Sequence, residues 1–366
     1  MPYEIAAVLD AGPADGVDPD EFVRAAVRWH FDPETGSPYW LDRAGRLGFD
    51  PRRDVRGVAD LALFPDLTHE LRDVRATDLV PRGYGTRARV LNVFESGGTT
   101  GAPKRVVQLD DWMRHSSDQV AGRLRAHGLP VGAHWLTVAP TGPHLVGDVL
   151  QRAAAGLGGP GLSIDMDPRW VRSLIAAGRT EEAEAYTDHL VEQCRRVLLS
   201  QDIRVLAATT PLLERFARED DLLEIINGKV EAIVWGGTHM DPDTRDLLST
   251  EVFPDVRLIG MYGNTMMLTA LLERVGSAAS DPCVFDPVSP YVFLSVVDPV
   301  TGERVEVGER GRVVVSHVSR SMLIPNNAER DTALRVRPAE GQTGDAVADV
   351  APAPTVAGEA VIEGVY

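Results

Sequence analysis

Apolar residues recur along the chain with two spacings, and the change between them falls near residue 87. Between Asp18 and Trp29 the spacing is helical, and Asp18 with Glu21 makes a plausible cap pair at its start. After residue 87, short apolar runs alternate with longer helical stretches, which predicts a parallel or mixed α/β sheet. The predicted strands are Ala88–Phe94, His134–Ala139, Val205–Thr209, Ala232–Trp235 and Val256–Met261. The predicted helices are Gln108–Ala126, Thr180–Leu199, Pro211–Ile226 and Asp241–Glu251.

Beyond residue 290 the pattern becomes rich in strands. The runs Val292–Asp298, Arg304–Val307 and Gly311–His317 predict strands, and an Asp-Pro-x-Thr-Gly turn between the first two predicts a hairpin. The last thirty residues have no strong periodicity, and the chain has neither an internal repeat nor a long linker. We therefore divide it into an N-terminal helical segment packed on the core (1–86), an α/β core (87–290), a β-rich subdomain (291–345) and a residual C-terminal tail (346–366).

Composition restricts the compartment and the partners. The chain has 366 residues, 44% of them hydrophobic, which is enough for one large core or two smaller ones. Its formal net charge is −17, and acids flank basic pairs such as Arg52-Arg53, so we expect no nucleic acid or anionic membrane as partner. Cys194 and Cys283 are too few for a disulfide framework or a thiolate metal site. With no leader pattern and no membrane-length apolar run, we expect a cytoplasmic protein.

A loop rich in glycine and hydroxyl groups follows the apolar run that ends at Phe94. Its polar positions and glycines are Ser96, Gly97, Gly98, Thr99, Thr100 and Gly101, with Lys104 after Ala102-Pro103. Glycines let successive N–H groups point inward, hydroxyls donate hydrogen bonds and Lys104 adds a positive charge, a combination suited to phosphate. An ordinary surface turn is the alternative. The spacing fits neither a Walker loop nor a dinucleotide fingerprint.

The segment from Ser96 to Lys104 resembles, position for position, the phosphate loop of the adenylate-forming superfamily of acyl-CoA synthetases, adenylation domains and luciferases. Arg105 stands where that family usually has glycine. The resemblance implies an α/β fold, namely the large N-terminal domain with layered α/β subdomains and a small β-rich subdomain. It makes 87–290 the nucleotide-binding core, Lys104 a catalytic residue, and ATP and Mg²⁺ the cofactors.

Two further motifs follow in the order of that family. His144 lies forty residues after Lys104, and the resemblance places it at the carboxylate pocket; by residue type alone it would more often be structural. The purine contacts implied by the resemblance are Gly236, Gly237 and Thr238, which also read as a tight turn from a strand into a helix.

The segment from Tyr262 through Gly263 and Asn264 to Thr265 resembles the motif Tyr-Gly-x-Thr-Glu. The resemblance implies that the tyrosine stacks on adenine and that the Thr265 hydroxyl, a catalytic group, meets the α-phosphate. The glutamate that helps to hold Mg²⁺ in the family is replaced by Met266, and a thioether is a poor ligand for so hard a cation. Either another carboxylate holds the metal, or only phosphates and water hold it, or adenylation is weak, so no residue is assigned as a metal ligand.

Arg330-Asp331 resembles the ribose-binding Arg-Asp of the phenylacetate-CoA ligase branch. Thr343-Gly344-Asp345 is a rival with the Thr-Gly-Asp form of other branches. We prefer Asp331, because its distance from Tyr262 fits that branch better, and expect Asp345 in a hinge region.

Only 35 residues follow Asp331, and no lysine follows Lys229, so the sequence predicts that the family's C-terminal domain and its lysine are absent. The expected activity is ATP-dependent activation of an aryl or hydrophobic carboxylic acid as acyl-AMP, as in short phenazine antibiotic biosynthesis members that the chain resembles. The acceptor could be an amine, CoA or a carrier protein, and relatives are often homodimers. A degenerate nucleotide-binding protein and a CoA ligase completed by a separate domain remain the alternatives.

Overall fold

A computed structural model describes residues 2–10, 16–97, 102–277, 281–353, 355–356 and 359–360 of the chain. Two compact units divide it. Unit 1 comprises Met1–His115, Thr265–Leu268 and Asp286–Val347, and unit 2 comprises Ser116–Asn264, Thr269–Phe285 and Ala348–Tyr366. Among the described residues, no helix is long and apolar enough to cross a membrane. The four-part division drawn from the sequence stays a prediction.

The α-helices are α1 (Pro2–Asp10), α2 (Pro19–Phe31), α3 (Pro38–Arg43), α4 (Pro51–Asp54), α5 (Asp110–Ala126), α6 (Leu145–Gly156), α7 (Pro168–Ala176), α8 (Thr180–Ser200), α9 (Thr210–Phe216), α10 (Asp220–Lys229) and α11 (Pro242–Leu247). Short 3₁₀ helices lie at Ala44–Arg46, Val58–Leu63, Thr68–Arg72, Ala76–Leu79 and Arg82–Arg87, and α11 continues as one π-helical turn, Leu248–Val252.

The strands are β1 (Val90–Glu95), β2 (Arg105–Leu109), β3 (His134–Val138), β4 (Gly161–Ile164), β5 (Ile203–Ala208), β6 (Ala232–Gly236), β7 (Arg257–Tyr262), β8 (Leu271–Leu272), β9 (Val284–Phe285), β10 (Val292–Val297), β11 (Arg310–Val318), β12 (Leu323–Val336), β13 (Ala346–Pro352), β14 (Thr355–Val356) and β15 (Glu359–Ala360).

Several helices begin at the same local sequence, a capping residue followed by proline. The caps are Asp18, Ser37, Asp50, Asp167 and Asp241, and each side chain accepts a hydrogen bond from a backbone N–H of the first turn. Proline suits the first helical position because its N–H would have no partner there. These short signals therefore place helix starts directly from the sequence, including the start predicted at Asp18.

Unit 2 contains a sheet with the strand order β4-β3-β5-β6-β7-β8, parallel throughout except for β8. Its central strands are apolar on both faces and almost fully buried, as expected of a parallel sheet covered by helices. The order reverses between β3 and β5, because β4 lies on one side of β3 while the later strands continue on the other. Ligands of such sheets bind beyond the carboxyl ends of the strands near this reversal.

Unit 1 contains the antiparallel hairpin of β1 and β2 and most of a five-stranded sheet with the order β10-β11-β12-β13-β9, in which β11 pairs antiparallel with both β10 and β12. β13 starts in unit 1 and continues into unit 2. An aromatic cluster of Phe31, Trp40 and Phe64 joins the N-terminal helices, with ring centroids 5.2–6.0 Å apart. Trp40 Nε1 donates to the carbonyl of Leu323 at 3.1 Å, which fixes this cluster to β12.

Two predicted elements differ from the structure, and several observed elements were not predicted. The single helix expected over Pro211–Ile226 is two helices, α9 and α10. Arg304–Val307 is not a strand and makes only one bridge, from Arg304 to Val297. The long strand β12 and the strand β13 were not expected, because polar residues interrupt the apolar pattern of the first and the second lies where periodicity fades. α6, α7 and β4 also lay outside the predicted elements.

Candidate functional site

The predicted purine motif lies at the carboxyl end of β6 in unit 2. Gly236 pairs with Met261 of β7, and a Cβ at Gly236 would come within 2.4 Å of the Met261 carbonyl oxygen, so only glycine fits. Gly237 has a φ of +82°, the left-handed region that glycine adopts without strain. The Thr238 hydroxyl accepts a hydrogen bond from Thr210 N at 3.1 Å. Gly236 is the buried last residue of β6, Gly237 is exposed and Thr238 is half-buried, so the three predicted residues lie in one turn at the carboxyl end of the strand.

Sequence reasoning missed two hydroxyls beside that turn. Thr209 and Thr210 follow β5 directly, and both are buried. Their Oγ1 atoms have no hydrogen-bond partner among the described residues, and a Cβ at Gly237 would lie 3.8 Å from the Thr209 methyl group. Thr209 is the cap residue of α9, yet its side chain makes no capping bond. The available signal was the Thr-Thr-Pro sequence at the end of the strand predicted over Val205–Thr209.

Tyr262, Gly263 and Asn264 continue from β7 at the same edge of the sheet. The Tyr262 ring is half-buried and lies 5.6 Å from the Phe285 ring, between centroids. A Cβ at Gly263 would come within 2.9 Å of the Thr269 carbonyl oxygen, so the chain turns tightly there. The adjacent strands β6 and β7 therefore bring the Gly-Gly and Tyr-Gly motifs together at one edge of the sheet.

His144 follows β3 and is the cap residue of α6, without a capping bond from its side chain. Asp165, which follows β4, holds the loop between β3 and α6. One of its carboxylate oxygens accepts from Thr141 N at 2.9 Å and from Thr141 Oγ1 at 2.8 Å. Gly142 takes a φ of +65° within the same loop. This loop follows β3, the strand at which the strand order reverses. The role of His144 at a carboxylate pocket stays a prediction.

In unit 1 the phosphate-loop sequence connects β1 to β2. Its mouth is closed by two hydrogen bonds of 2.9 Å, from Ser96 N to the Lys104 carbonyl and from Lys104 N to Ser96 Oγ. The Ser96 hydroxyl is therefore a structural acceptor at the loop's base, beside Gly97. Gly98, Thr99, Thr100 and Gly101 lie outside the described residues.

The Lys104 side chain turns toward the N-terminal segment. Its Nζ donates to Thr68 Oγ1 at 2.7 Å. Burial lowers the pKa of Lys104 from its usual value, and Arg72 and Arg330 act in the same direction, whereas Glu329 and Asp66 oppose them. A partly desolvated cation among charges of both signs binds an anion more strongly than an exposed lysine does.

Thr265 and Met266 also belong to unit 1. Thr265 Oγ1 donates to the carbonyl of Glu95, the last residue of β1, at 3.3 Å. The structure thus brings Thr265 next to the start of the phosphate-loop sequence. Met266 is 3% exposed, so its side chain is a core residue. It supplies no oxygen ligand to a cation.

Asp331 lies in a bulge of β12. Ala328 pairs with Val314 and Thr332 pairs with Arg312, so three residues of β12, Glu329 to Asp331, lie opposite the single residue Val313. Arg312 stabilises the bulge by donating from Nε to the Glu329 carbonyl at 2.7 Å. Bulges redirect side chains and occur often beside active sites.

The rival carboxylate, Asp345, is committed to the interior of unit 1. Its side chain is 2% exposed and pairs with Arg304 and with Arg335, the latter at 2.8 Å. It also accepts from Val296 N at 3.0 Å. Asp345 is therefore a structural residue of unit 1, and the ribose-binding role of Asp331 stays a prediction.

No cluster for a resident metal ion is present among the described residues: no three His, Cys, Asp or Glu side chains are grouped so that they could hold one.

No protein-family model matches the chain, and no curated protein matches it. Among solved structures, it is similar to 2-hydroxyisobutyryl-CoA ligase in complex with 2-HIB-AMP and CoA in the thioesterification state, with a TM-score of 0.68 and 14% identity over 91% of this chain and 67% of that one. An open conformation of the same ligase gives a TM-score of 0.67 at 14% identity, over 91% of this chain and 68% of that one.

An ATP-bound chimera, RpMatB-BxBclM B3, is similar over 71% of this chain and 47% of its own length, with a TM-score of 0.50 and 16% identity. These likenesses confirm the expected fold class, because the chain has the α/β fold of the N-terminal domain of adenylate-forming ligases. At this level of identity they establish the fold alone.

Proposed function

We propose, from the fold that the chain shares with adenylate-forming ligases, that it activates a carboxylic acid with ATP and releases pyrophosphate. One observation carries the proposal. The motifs implicated in nucleotide binding, at Gly236–Thr238 and Tyr262–Asn264, end adjacent parallel strands at the sheet edge where ligands of such folds bind. Gly236 and Gly263 support it, because a Cβ at these positions would come within 2.4 Å and 2.9 Å of a backbone carbonyl oxygen, so each turn requires glycine.

The reaction requires little covalent chemistry from the protein. A carboxylate oxygen attacks the α-phosphorus of ATP, the bond from that phosphorus to the pyrophosphate oxygen breaks, and acyl-AMP and pyrophosphate result. Catalysis then depends on positioning and on charge stabilisation in the transition state. In our assignment Lys104 and the loop that starts at Ser96 hold the phosphates, Thr265 meets the α-phosphate, and Asp331 binds the ribose.

The assignment divides the remaining work within unit 2. Tyr262 stacks on the adenine, while the backbone of Gly236 and Gly237 passes along its edge. Thr209 and Thr210 add buried hydroxyls that can donate to or accept from a bound polar group. His144 orients the substrate carboxylate or controls its access. Mg²⁺ arrives with ATP as part of the substrate and neutralises phosphate charge.

The acid is proposed to be aryl or otherwise hydrophobic, in keeping with the resemblance to the phenylacetate-CoA ligase branch. Buried apolar side chains lie near the carboxyl ends of β3, β6 and β7 in unit 2, among them Leu145, Trp235 and Met261. A role in antibiotic biosynthesis, an acceptor that is an amine, CoA or a carrier protein, a cytoplasmic location and a homodimer all belong to this proposal.

The buried Met266 favours a second candidate, a protein that binds the nucleotide without turning it over. Calorimetry with ATP and AMP, combined with mass spectrometry of acyl-AMP over a panel of aryl and aliphatic acids, separates the two. The ligase forms acyl-AMP with at least one acid, and an ¹⁸O-labelled acid leaves label in AMP after hydrolysis at the acyl carbon. Nucleotide binding with no acyl-AMP from any acid supports the second candidate.

A further inference from the structure

A directional chain of hydrogen bonds leads from the phosphate-loop lysine to the N-terminal segment of unit 1. Lys104 Nζ donates to Thr68 Oγ1 at 2.7 Å, and Thr68 Oγ1 donates to Asp66 Oδ1 at 2.7 Å. Thr68 is 4% exposed, so water does not compete for its hydroxyl. The Thr68 hydroxyl donates its only proton to Asp66 and accepts from Lys104 with an oxygen lone pair, so the direction of both hydrogen bonds is fixed.

Asp66 is itself fixed by backbone contacts. Its carboxylate accepts from Thr68 N at 2.9 Å and from Ala328 N of β12 at 3.3 Å. Next to it, Asn326 Nδ2 donates to the Phe64 carbonyl at 2.6 Å. The segment from Phe64 to Thr68 is therefore attached to β12 beside the bulge that holds Asp331. One short segment thus contacts both Lys104 and the strand that carries the ribose candidate.

The charges that face Lys104 come from two parts of unit 1. Asp66 and Arg72 lie in the N-terminal segment, and Glu329 and Arg330 lie in the β12 bulge. The carboxylates favour the ammonium form, and the guanidinium groups disfavour it. Of the two carboxylates, Asp66 is also joined to Lys104 through a hydroxyl.

We propose that Asp66 and Thr68 are positioning residues that hold the Lys104 ammonium, charged and aimed, beside the ribose-binding strand so that it is ready for the phosphates of ATP. The inference rests on the proposed function only in its reference to ATP. The contacts themselves can be tested without any activity. Neither residue was recognised as part of the site from sequence, because the contacts are long-range.

The chain offers an unusually clean probe, since its only lysines are Lys104 and Lys229. Lysine labelled with ¹³C at Cε gives one signal for each, and Lys229, which donates to the Leu198 carbonyl at 2.9 Å in unit 2, is the internal reference. The signals are titrated in the wild type and in Asp66→Asn, Thr68→Val and Thr68→Ser. Asp298→Asn is the matched control, because Asp298 also accepts from the backbone N–H two residues ahead, at 2.8 Å, but lies in a distant turn of unit 1.

In Asp66→Asn we expect the titration midpoint of Lys104 to fall by about 1 pH unit, because a facing carboxylate is lost. Thr68→Val lowers it in the same direction, Thr68→Ser restores it, and Asp298→Asn and the Lys229 signal do not change. Unchanged Lys104 midpoints in folded Asp66→Asn and Thr68→Val overturn the proposal. Should both variants unfold, the wild type decides: absence of a nuclear Overhauser contact between the Lys104 ε-methylene and the Thr68 methyl overturns it.

Adding ATP to the labelled wild type separates this inference from the proposed function. If the function holds, ATP moves the Lys104 signal and leaves that of Lys229 in place. If the Lys104 signal does not respond to ATP, the proposed function fails, whereas the titrations still measure the positioning contacts.

Discussion

At the scale of single residues, burial changes what ordinary side chains do. Lys104 loses part of its hydration and finds one hydroxyl partner, so its charge is available to an anion at little reorganisation cost. Burial gives Met266 and Asp345 structural roles instead. Met266 is an apolar core residue of unit 1, and the Asp345 carboxylate pairs there with two arginines.

Replacing Lys104 tests its proposed role. We expect Lys104→Met to lower kcat/KM for ATP by ~100-fold, because a desolvated charge aimed at phosphate is lost. Its thermal unfolding should not worsen, because burial disfavours the charge that is removed. Lys229→Met is the matched control and keeps wild-type kinetics. A Lys104→Met protein with unchanged kcat/KM would remove Lys104 from the site.

Two buried histidines predict acid sensitivity of folding. Burial lowers the pKa of His30 to about 4 and that of His317 to about 3, and both rings make neutral hydrogen bonds inside unit 1. Between these pKa values and pH 6.5, the two histidines bind protons in the unfolded state but not in the folded state. The free energy of unfolding is therefore highest above about pH 7 and falls on acidification. Denaturant titrations should show a loss of roughly 2–4 kcal/mol between pH 6.5 and 5.

The exposed His189 provides the control for that measurement. His189→Gln should leave the pH dependence of the free energy of unfolding unchanged. A wild-type free energy that is flat from pH 7 to pH 5 contradicts neutral burial of His30 and His317.

At the scale of elements, sequence patterns succeed where burial is uniform. β5, β6 and β7 were predicted within two residues at each end, because unbroken apolar runs between turn residues leave few alternatives. The helix expected over Pro211–Ile226 is interrupted between Phe216 and Asp220, where the chain turns at Ala217–Glu219. β12 was not predicted because most residues from Asn326 to Asp331 are polar, and the irregular register there is visible only from the pairing with β11.

The same limit applies to the site. Motifs that are contiguous in sequence, such as Gly236–Thr238 and Tyr262–Asn264, could be found because each is one strand end. Asp66 and Thr68 could not, because their link to Lys104 spans 36 residues and depends on how the N-terminal segment folds back. Thr209 and Thr210 could be noticed in the sequence as a pair of hydroxyl residues at the end of a strand. Their position next to Gly237 is visible only in the structure.

A buried ion pair behind β7 gives a prediction for unit 2. The side chains of Arg245 and Glu273 are 4% and 6% exposed and lie 3.1 Å apart, and Glu273 also accepts from Gly260 N at 2.8 Å. Arg245→Met leaves this carboxylate buried without its cation, which should cost about 3–5 kcal/mol of unfolding free energy.

The double variant Arg245→Met/Glu273→Gln should recover most of that loss, since both charges are then gone. Arg46→Met, which breaks an exposed pair with Asp42, should cost about 1 kcal/mol or less. Equal costs for Arg245→Met and Arg46→Met in denaturant titrations would contradict the buried pair.

At the scale of the whole molecule, the fold is compatible with the proposed acid activation but does not by itself establish it. The fold is shared with ligases of about 14% identity, which leaves the substrate and the reaction to the site residues. The proposed residues Ser96, Lys104, Thr265 and Asp331 belong to unit 1, and the proposed residues His144, Gly236–Thr238 and Tyr262–Asn264 belong to unit 2.

The most direct test of the central claim is acid-dependent exchange of labelled pyrophosphate into ATP, measured over a panel of aryl and aliphatic carboxylic acids at several Mg²⁺ concentrations. The account predicts exchange that requires one or a few hydrophobic acids, is lost in Lys104→Met and persists in Lys229→Met. Absence of exchange with every acid at every Mg²⁺ concentration, in a protein that still binds ATP, would contradict it.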